Sequence, residues 1–113
     1  MWIFTTSGFI SAVQDPKDRT IIVRSRDRAS LRPIAGQFQL KIKHTPYGDY
    51  PYRIKVSSEE FVEWVSQEAQ SIDYHNFKDK VSFTRSKSFS SSLLKVWSTM
   101  HEVEDAEARK MSE

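Results

Sequence analysis

The sequence has no cysteine and only three glycines among its 113 residues. Without cysteine, the chain can form no disulfide bond, no thiolate nucleophile and no cysteine-ligated zinc site. The glycines, Gly8, Gly36 and Gly48, lie too far apart for a glycine-rich loop that would cradle phosphates. These absences argue against thiol chemistry and against a nucleotide-hydrolysing enzyme.

The sequence also lacks a long apolar run. No segment approaches the roughly 20 apolar residues that a membrane-spanning helix needs. The N-terminal residues 1–4 carry neither the basic leader nor the long apolar stretch of a signal peptide. We therefore expect a cytoplasmic protein that does not have a membrane as a partner.

Patterns typical of catalysis or metal binding are scarce. The three histidines, His44, His75 and His101, show no paired spacing of the kind that ligates zinc. The segment 73–76, which reads Asp-Tyr-His-Asn, could transfer protons if it lined a cleft. A turn that ends a helix would explain the same segment without a function. We expect no enzymatic activity, no metal and no small-molecule cofactor.

The charged residues are divided unevenly along the chain. Residues 1–56 hold ten Lys and Arg against four Asp and Glu, and residues 57–113 hold seven against eleven, so the halves carry net charges of +6 and −4. The chain also has seven Phe, four Tyr and three Trp, more than a disordered chain carries. The composition predicts a folded molecule with a basic and an acidic half.

Alternating apolar residues predict strands in the first half. We interpret 2–14 as one strand with a turn or bulge at Gly8, followed by a β-turn over 15–18. A weak helix over 29–34 is limited by Pro33. The remaining strands are expected over 20–26, 37–43 and 52–56.

Helical periodicity predicts two main helices in the second half. Ser57 and Glu60 form a capping box before a helix over about 58–72. A turn and a short helix are expected over 73–81, then a serine-rich connector near 82–92 and, at the end, a frayed polar tail near 104–113. The last helix is marked by one apolar face that contains Leu93, Val96, Trp97, Met100 and Val103.

These elements predict an α+β fold in a single domain over 1–113. We expect an antiparallel sheet of about four strands, with two main C-terminal helices packed on one face. Trp2 and Trp97 are interpreted as core residues. Trp64, beside the apolar stripe of the first main helix, could lie at the rim of the core or anchor a protein partner as an aromatic hot spot.

Strand alternation predicts one sheet face that is rich in cations. Such a face could contact phosphates or other acidic groups, with tyrosines in the adjoining turn for stacking on bases. The same cations could instead cover the solvated side of the sheet and protect its edges. A slip of one residue in register would move every side chain to the other face. The candidate macromolecule-binding residues are Arg24, Arg26, Lys41, Lys43, Arg53 and Lys55, with Tyr47 and Tyr50.

Several segments together resemble a family of small uncharacterised bacterial proteins. The similarity covers about residues 1–100 and rests most on Asp-Tyr-x-Tyr-Arg at 49–53 and on Asp-Tyr-x-Asn-Phe-Lys-Asp at 73–79. The resemblance implies a lineage without an established activity. The serine-rich connector and the charged tail depart from the family, which suits a copy carried by a phage or mobile element.

The two most distinctive segments of this resemblance carry charged side chains. We predict that they meet in a polar clasp, in which Arg53 or Lys78 pairs with a carboxylate. The clasp could be structural, or it could bind a partner that the family shares. Its candidate residues are Asp49, Asp73, Lys78 and Asp79.

Taken together, the patterns predict a small non-enzymatic binding or regulatory protein. Its basic sheet and polar clasp would contact an acidic macromolecular partner. The alternative is a nucleic-acid-binding protein that uses the same sheet, with the cations on phosphates and the two turn tyrosines on bases. The expected partner is therefore a protein or a nucleic acid.

Overall fold

The computed structural model describes residues 1–46 and 48–111. The chain forms two compact units, Met1–Tyr74 and a second that begins at His75. The first contains an antiparallel sheet and two helices, and the second contains two further helices. The predicted α+β class is confirmed, and the expectation of a single domain stays a prediction.

The sheet of the first unit has five strands, each antiparallel to its neighbours. Their spatial order is β1-β2-β3-β5-β4. The strands are β1 (Trp2–Thr5), β2 (Gly8–Gln14), β3 (Ile21–Ser25), β4 (Lys43–His44) and β5 (Tyr52–Val56).

The strand predicted over 2–14 is a hairpin of β1 and β2. Gly8, with a φ of 157°, begins β2 opposite Thr5, and glycine adopts this backbone region most readily. The Ser7 amide donates a hydrogen bond to Thr5 Oγ1 at 3.2 Å within the turn. Gly8 therefore marks a chain reversal and not a bulge inside one strand.

Helix α1 (Arg28–Gln37) is longer than the helix predicted over 29–34 and runs through Pro33. A proline inside a helix costs about 3 kcal/mol, whereas full burial of one Leu or Ile side chain contributes about 1.5–3 kcal/mol. Leu31 and Ile34 are both fully buried. Packing of the two side chains thus offsets the penalty for the proline.

A helix cap occupies most of the strand predicted over 37–43, so that prediction is wrong. Gln39 has a left-handed φ of 54°, and the Leu40 amide donates to the Ala35 carbonyl at 2.8 Å. This is the Schellman arrangement at a helix C-terminus. Leu40 packs against the core from this position, and strand pairing is limited to the two residues of β4.

Helices α1 and α2 (Ser58–Gln70) cover the same face of the sheet. Ala12 lies beside Val23, and Val23 lies beside Ile54, so these side chains of neighbouring strands share a face. Both helices direct buried side chains into the same cluster. The core cluster contains Ile10, Ala12, Val23, Leu31, Ile34, Ala35, Ile54, Val56, Phe61 and Trp64.

Helix α2 begins at the predicted capping box. Ser57 Oγ accepts from the Glu60 amide at 3.1 Å, and Glu60 Oε1 accepts from the Ser57 amide at 2.8 Å. Trp64 is buried beside Phe61, with ring centroids 6.1 Å apart. Trp64 is therefore a core residue, and its interpretation as an anchor for a protein partner is wrong.

The second unit is a hairpin of α3 (Phe77–Thr84) and α4 (Lys87–Met111). Asn76 caps α3, because its Oδ1 accepts from the Asp79 amide at 3.1 Å. The predicted connector near 82–92 differs from the structure, since residues 87–92 are helical. Helix α4 also continues through the predicted frayed tail as far as Met111. Across the described ranges, no helix combines the length and apolarity needed to cross a membrane.

Candidate macromolecule-binding face

The pairing register brings three of the predicted cations side by side. Arg24 on β3 lies opposite Arg53 on β5, and Arg53 lies opposite Lys43 on β4. Val23 and Ile54, which alternate with the two arginines along their strands, face the core. The cations therefore project from the other face of the sheet. We call Arg24, Arg53 and Lys43 the basic row.

The basic row has no carboxylate among its strand neighbours. The five strands of the described chain contain four Lys and Arg and neither Asp nor Glu. Like charges that lie directly opposite each other destabilise a sheet, on the scale of ~0.2–1 kcal/mol per pair. An anion bound over the row would remove this repulsion.

Tyr50 helps to hold the arginines in place. It is 4% exposed, and its ring centroid lies 4.6 Å from Cζ of Arg24 and 4.2 Å from Cζ of Arg26. Arg24 Nη2 also donates to Ser11 Oγ at 2.9 Å. The buried ring contacts two guanidinium groups, which leaves it little surface for stacking on a base, and its predicted binding role stays a prediction. Tyr47 lies outside the described residues.

The loop between β4 and β5 also contacts Arg26 and Arg53. Arg26 Nη1 donates to the main-chain oxygen of Asp49 and lies 3.4 Å from Asp49 Oδ1. A Cβ atom at Gly48 would lie 3.2 Å from Arg53 Nη2, so the loop backbone passes beside that guanidinium. The Nε atoms of Arg24 and Arg53 are buried, with no hydrogen-bond partner among the described residues. Poor hydration of a charge strengthens its attraction to a nearby anion.

Lys55 and Lys41 differ from the basic row in their surroundings. Lys55 Nζ lies 2.9 Å from Asp15 Oδ2 and 3.2 Å from Asp18 Oδ2, and these hydrogen bonds raise the pKa of Lys55. Hydrogen bonds from the Thr20 hydroxyl and amide, with a smaller effect of Lys55, lower the pKa of Asp18 to about 2. Asp15 and Asp18, at the β2–β3 turn, thus neutralise the charge of Lys55. Lys41 differs in another way, because it lies outside the strands.

An aromatic group adjoins the basic row on the same sheet face. Trp2 lies opposite Ser11, which in turn lies opposite Arg24. The ring of Trp2 meets the ring of Phe9 edge-on, with centroids 5.7 Å apart. Trp2 is 69% exposed, so its prediction as a core residue is wrong. A predicted hairpin at Gly8 would have placed Trp2 on the correct face of the sheet. In that hairpin Ile3 lies opposite Ile10 and is the inward residue of β1.

The residues of the predicted polar clasp have contacts within their own units. Asp49 pairs with Arg26 in the first unit. In the second unit, Lys78 Nζ lies 5.2 Å from the ring centroid of Trp97, and Asp79 lies in the first turn of α3. Asp73 is exposed. The clasp itself stays a prediction.

A cleft of about 200 Å³ in the first unit is lined by residues of β1 and of the C-terminal half of α2. Most of its lining is apolar, and burial raises the pKa of the Glu68 carboxyl there. Tyr74 from the predicted proton-transfer segment also lines the cleft, whereas Asp73 is exposed. Among the described residues, no group of three or more His, Cys, Asp or Glu is placed to hold a metal ion.

Comparison with known proteins gives no relative for this chain. No protein-family model, curated protein or solved structure matches it. The resemblance to small bacterial proteins therefore stays a prediction. The function has to be inferred from the geometry of the basic row and its surroundings.

Proposed function

We propose that the protein is a non-enzymatic binding or regulatory protein that contacts an acidic macromolecular partner through the basic row. The observation that carries this proposal is the alignment of Arg24, Arg53 and Lys43 on three neighbouring strands. Opposed cations lower the stability of the free sheet. An acidic partner would relieve that repulsion on binding. This relief supports the proposal that the basic row is a binding surface.

The surroundings of the two arginines suit recognition of an anion. Tyr50 and Ser11 hold Arg24, and the loop backbone at Gly48 lies beside Arg53. Side chains that are already positioned lose less conformational entropy on binding. The planar guanidinium group forms paired hydrogen bonds with carboxylates and phosphates. Both groups are therefore suitable ligands for the row.

A nucleic acid is the second candidate partner, and the exposed Trp2 is the observation that favours it. Trp2 and Lys43 lie on the two edge strands, β1 and β4, at opposite ends of the same line of side chains. Neighbouring strands lie about 4.8 Å apart, so four spacings separate them by about 19 Å. A single strand could place a base on Trp2 and its phosphates on the basic row.

The test is a titration of fluorescently labelled probes followed by anisotropy. An acidic peptide of Asp and Glu and an oligothymidylate are each titrated at about 50 and about 200 mM salt. We expect one of them to bind at low salt. Three phosphate contacts to a single strand would weaken binding about 20-fold between these two salt concentrations.

Matched variants distinguish binding through the basic row from attraction that arises only from the overall charge of the protein. Lys43→Glu should weaken binding, whereas Arg32→Glu should not, because Arg32 is an exposed residue of α1, which packs on the other sheet face. Trp2→Ala should weaken oligonucleotide binding by about 1–3 kcal/mol if a base stacks there. It should leave peptide binding unchanged. Equal affinity of Lys43→Glu and the unaltered protein would contradict the proposal.

A further inference from the structure

Helix α4 carries an apolar stripe that α3 does not cover. By helical geometry α3, with eight residues, is about 12 Å long and α4, with 25 residues, is about 37 Å long. The contacts of α3 fall on the first part of α4, since Ser90 Oγ donates to the Lys78 carbonyl at 3.1 Å and Lys78 reaches Trp97. Met100 and Val103, further along the same face, are 57% and 61% exposed.

The charges of the second unit are divided at the middle of this stripe. Residues 77–97 contain five Lys and Arg against one Asp, a net charge of +4. Residues 98–108, the acidic segment, contain four Asp and Glu with no Lys or Arg, and with Arg109 and Lys110 in the last turn of α4 the net charge over 98–111 is −2. One end of the helical hairpin is thus complementary to the other end of an identical hairpin. In an antiparallel pair the unlike ends meet, and in a parallel pair the like ends meet.

We infer that the stripe formed by Val96, Trp97, Met100 and Val103 docks against the same stripe of a second copy, with the two α4 helices antiparallel. A two-fold axis at the level of Ser98 along the helix, on the side that carries the stripe, brings the four apolar residues of each copy together. The acidic segment of each copy then lies over the basic hairpin end of the other. Such a self-complementary contact is the form that a symmetric dimer requires, and it is independent of the basic row.

Sedimentation velocity of the full chain from about 1 μM to about 1 mM tests the pairing. We expect a monomer–dimer equilibrium whose dissociation constant rises at least tenfold in Met100→Gln. Ser98→Gln is the control, because Ser98 is exposed on the opposite side of α4 and glutamine suits a helix equally well at both positions. A monomer throughout this range, or a dimer that Met100→Gln leaves unchanged, would overturn the inference.

The charge contribution is tested by reversing acidic residues at the stripe. Glu104→Lys with Glu107→Lys should weaken the dimer at low salt, and high salt should reduce the difference from the unaltered protein. Circular dichroism of each variant verifies that α4 remains helical. Equal or tighter dimerisation of this double variant at low salt would contradict the antiparallel pairing.

The orientation is tested by disulfide cross-linking, which is direct because the chain has no cysteine of its own. In an antiparallel pair, Met100→Cys lies near the two-fold axis and should cross-link to its copy. Glu107→Cys should not, because its copy would lie about 27 Å away along the helix axis. Efficient cross-linking of Glu107→Cys would show a parallel pair, in which both positions face their own copies, and would overturn the assignment.

Discussion

The first unit buries a cluster of large apolar residues in a core, whereas the second unit leaves a row of them exposed along α4. In the first unit, Val23, Leu31 and Ile34 are fully buried between the sheet and the helices. In the second unit, Trp97, Met100 and Val103 remain more than half exposed along α4. The first unit therefore has a packed core of its own. The second depends more on helix caps, on the contact between α3 and α4, and on whatever covers the stripe.

The strongest test of this difference compares two tryptophans. Trp64→Ala should lower the free energy of unfolding by about 3–5 kcal/mol, because it opens a cavity in the core. Trp97→Ala should lower it by less than about 1 kcal/mol, because the indole is largely exposed. Urea unfolding at low protein concentration measures both. Equal losses would contradict the contrast between the units.

Removal of the α2 capping box should have a smaller effect. Ser57→Ala deletes the oxygen that accepts the Glu60 amide hydrogen bond, and such a loss typically costs about 1 kcal/mol. Ser66→Ala on the exposed side of the same helix is the control. It should be neutral or slightly stabilising, since alanine is the better helix former. If the two variants unfold alike in urea, the cap contributes little.

The end of α1 offers a substitution that should increase stability. Gln39→Gly removes the strain of a left-handed backbone at a residue with a side chain, for an expected gain of up to about 1 kcal/mol. Gln37→Gly, at the last residue of α1 and two residues before Gln39, should instead lose up to about 0.5–1 kcal/mol. A thermal melt of both variants gives the sign of each change.

The smallest expected effect is on the pKa of Asp18, in the β2–β3 turn that pairs with Lys55. Thr20→Val removes the hydroxyl that donates to Asp18 Oδ1 at 2.6 Å, the largest cause of the lowered pKa of Asp18. NMR titration should show that pKa rising from about 2 toward 3.8. Lys55→Gln should raise it by less.

The direction of the pH dependence follows from the sign of this shift. A carboxyl whose pKa is lower in the folded chain stabilises the fold above its unfolded pKa. For Asp18 that contribution is lost as the pH falls from about 4 through about 2. Thr20→Val should therefore lose less stability than the unaltered protein over this interval. A pKa of Asp18 that is unchanged in Thr20→Val would show that the hydroxyl is not its cause.

Local signals predicted the parts of the fold that depend on neighbours in sequence. The capping box at Ser57 located the start of α2, and alternation gave the correct faces for Arg24 and Arg53. The prediction of a strand over 37–43 was wrong because Gln39 has the left-handed backbone of a helix cap. Glycine is the usual residue at that position, so glutamine gave no signal of a cap. The prediction of a connector was wrong because Ser86 accepts from the Phe89 amide at the start of α4 and Ser90 donates to the Lys78 carbonyl of α3, so both serines support the helical hairpin.

The composition of the binding face depends on contacts that a sequence pattern does not contain. The pairing of β3 with β5 joins segments that are distant in sequence, and it decides that Arg53 lies between Arg24 and Lys43. The position of Tyr50 depends on how the β4–β5 loop folds back onto the arginines. Alternation alone therefore predicted which residues point outward, and tertiary pairing decided which of them are neighbours.

The most direct measurement combines the affinity and the stability of one variant. Arg53→Gln should bind the labelled acidic probe about tenfold more weakly, because it loses one charged hydrogen-bonding group. It should also unfold at a higher urea concentration, with a gain of ~0.2–1 kcal/mol from relief of like-charge repulsion. Arg32→Gln should change neither quantity. Unchanged affinity, or a loss of stability in Arg53→Gln, would contradict the account, because Arg53 would then support the fold and not a partner.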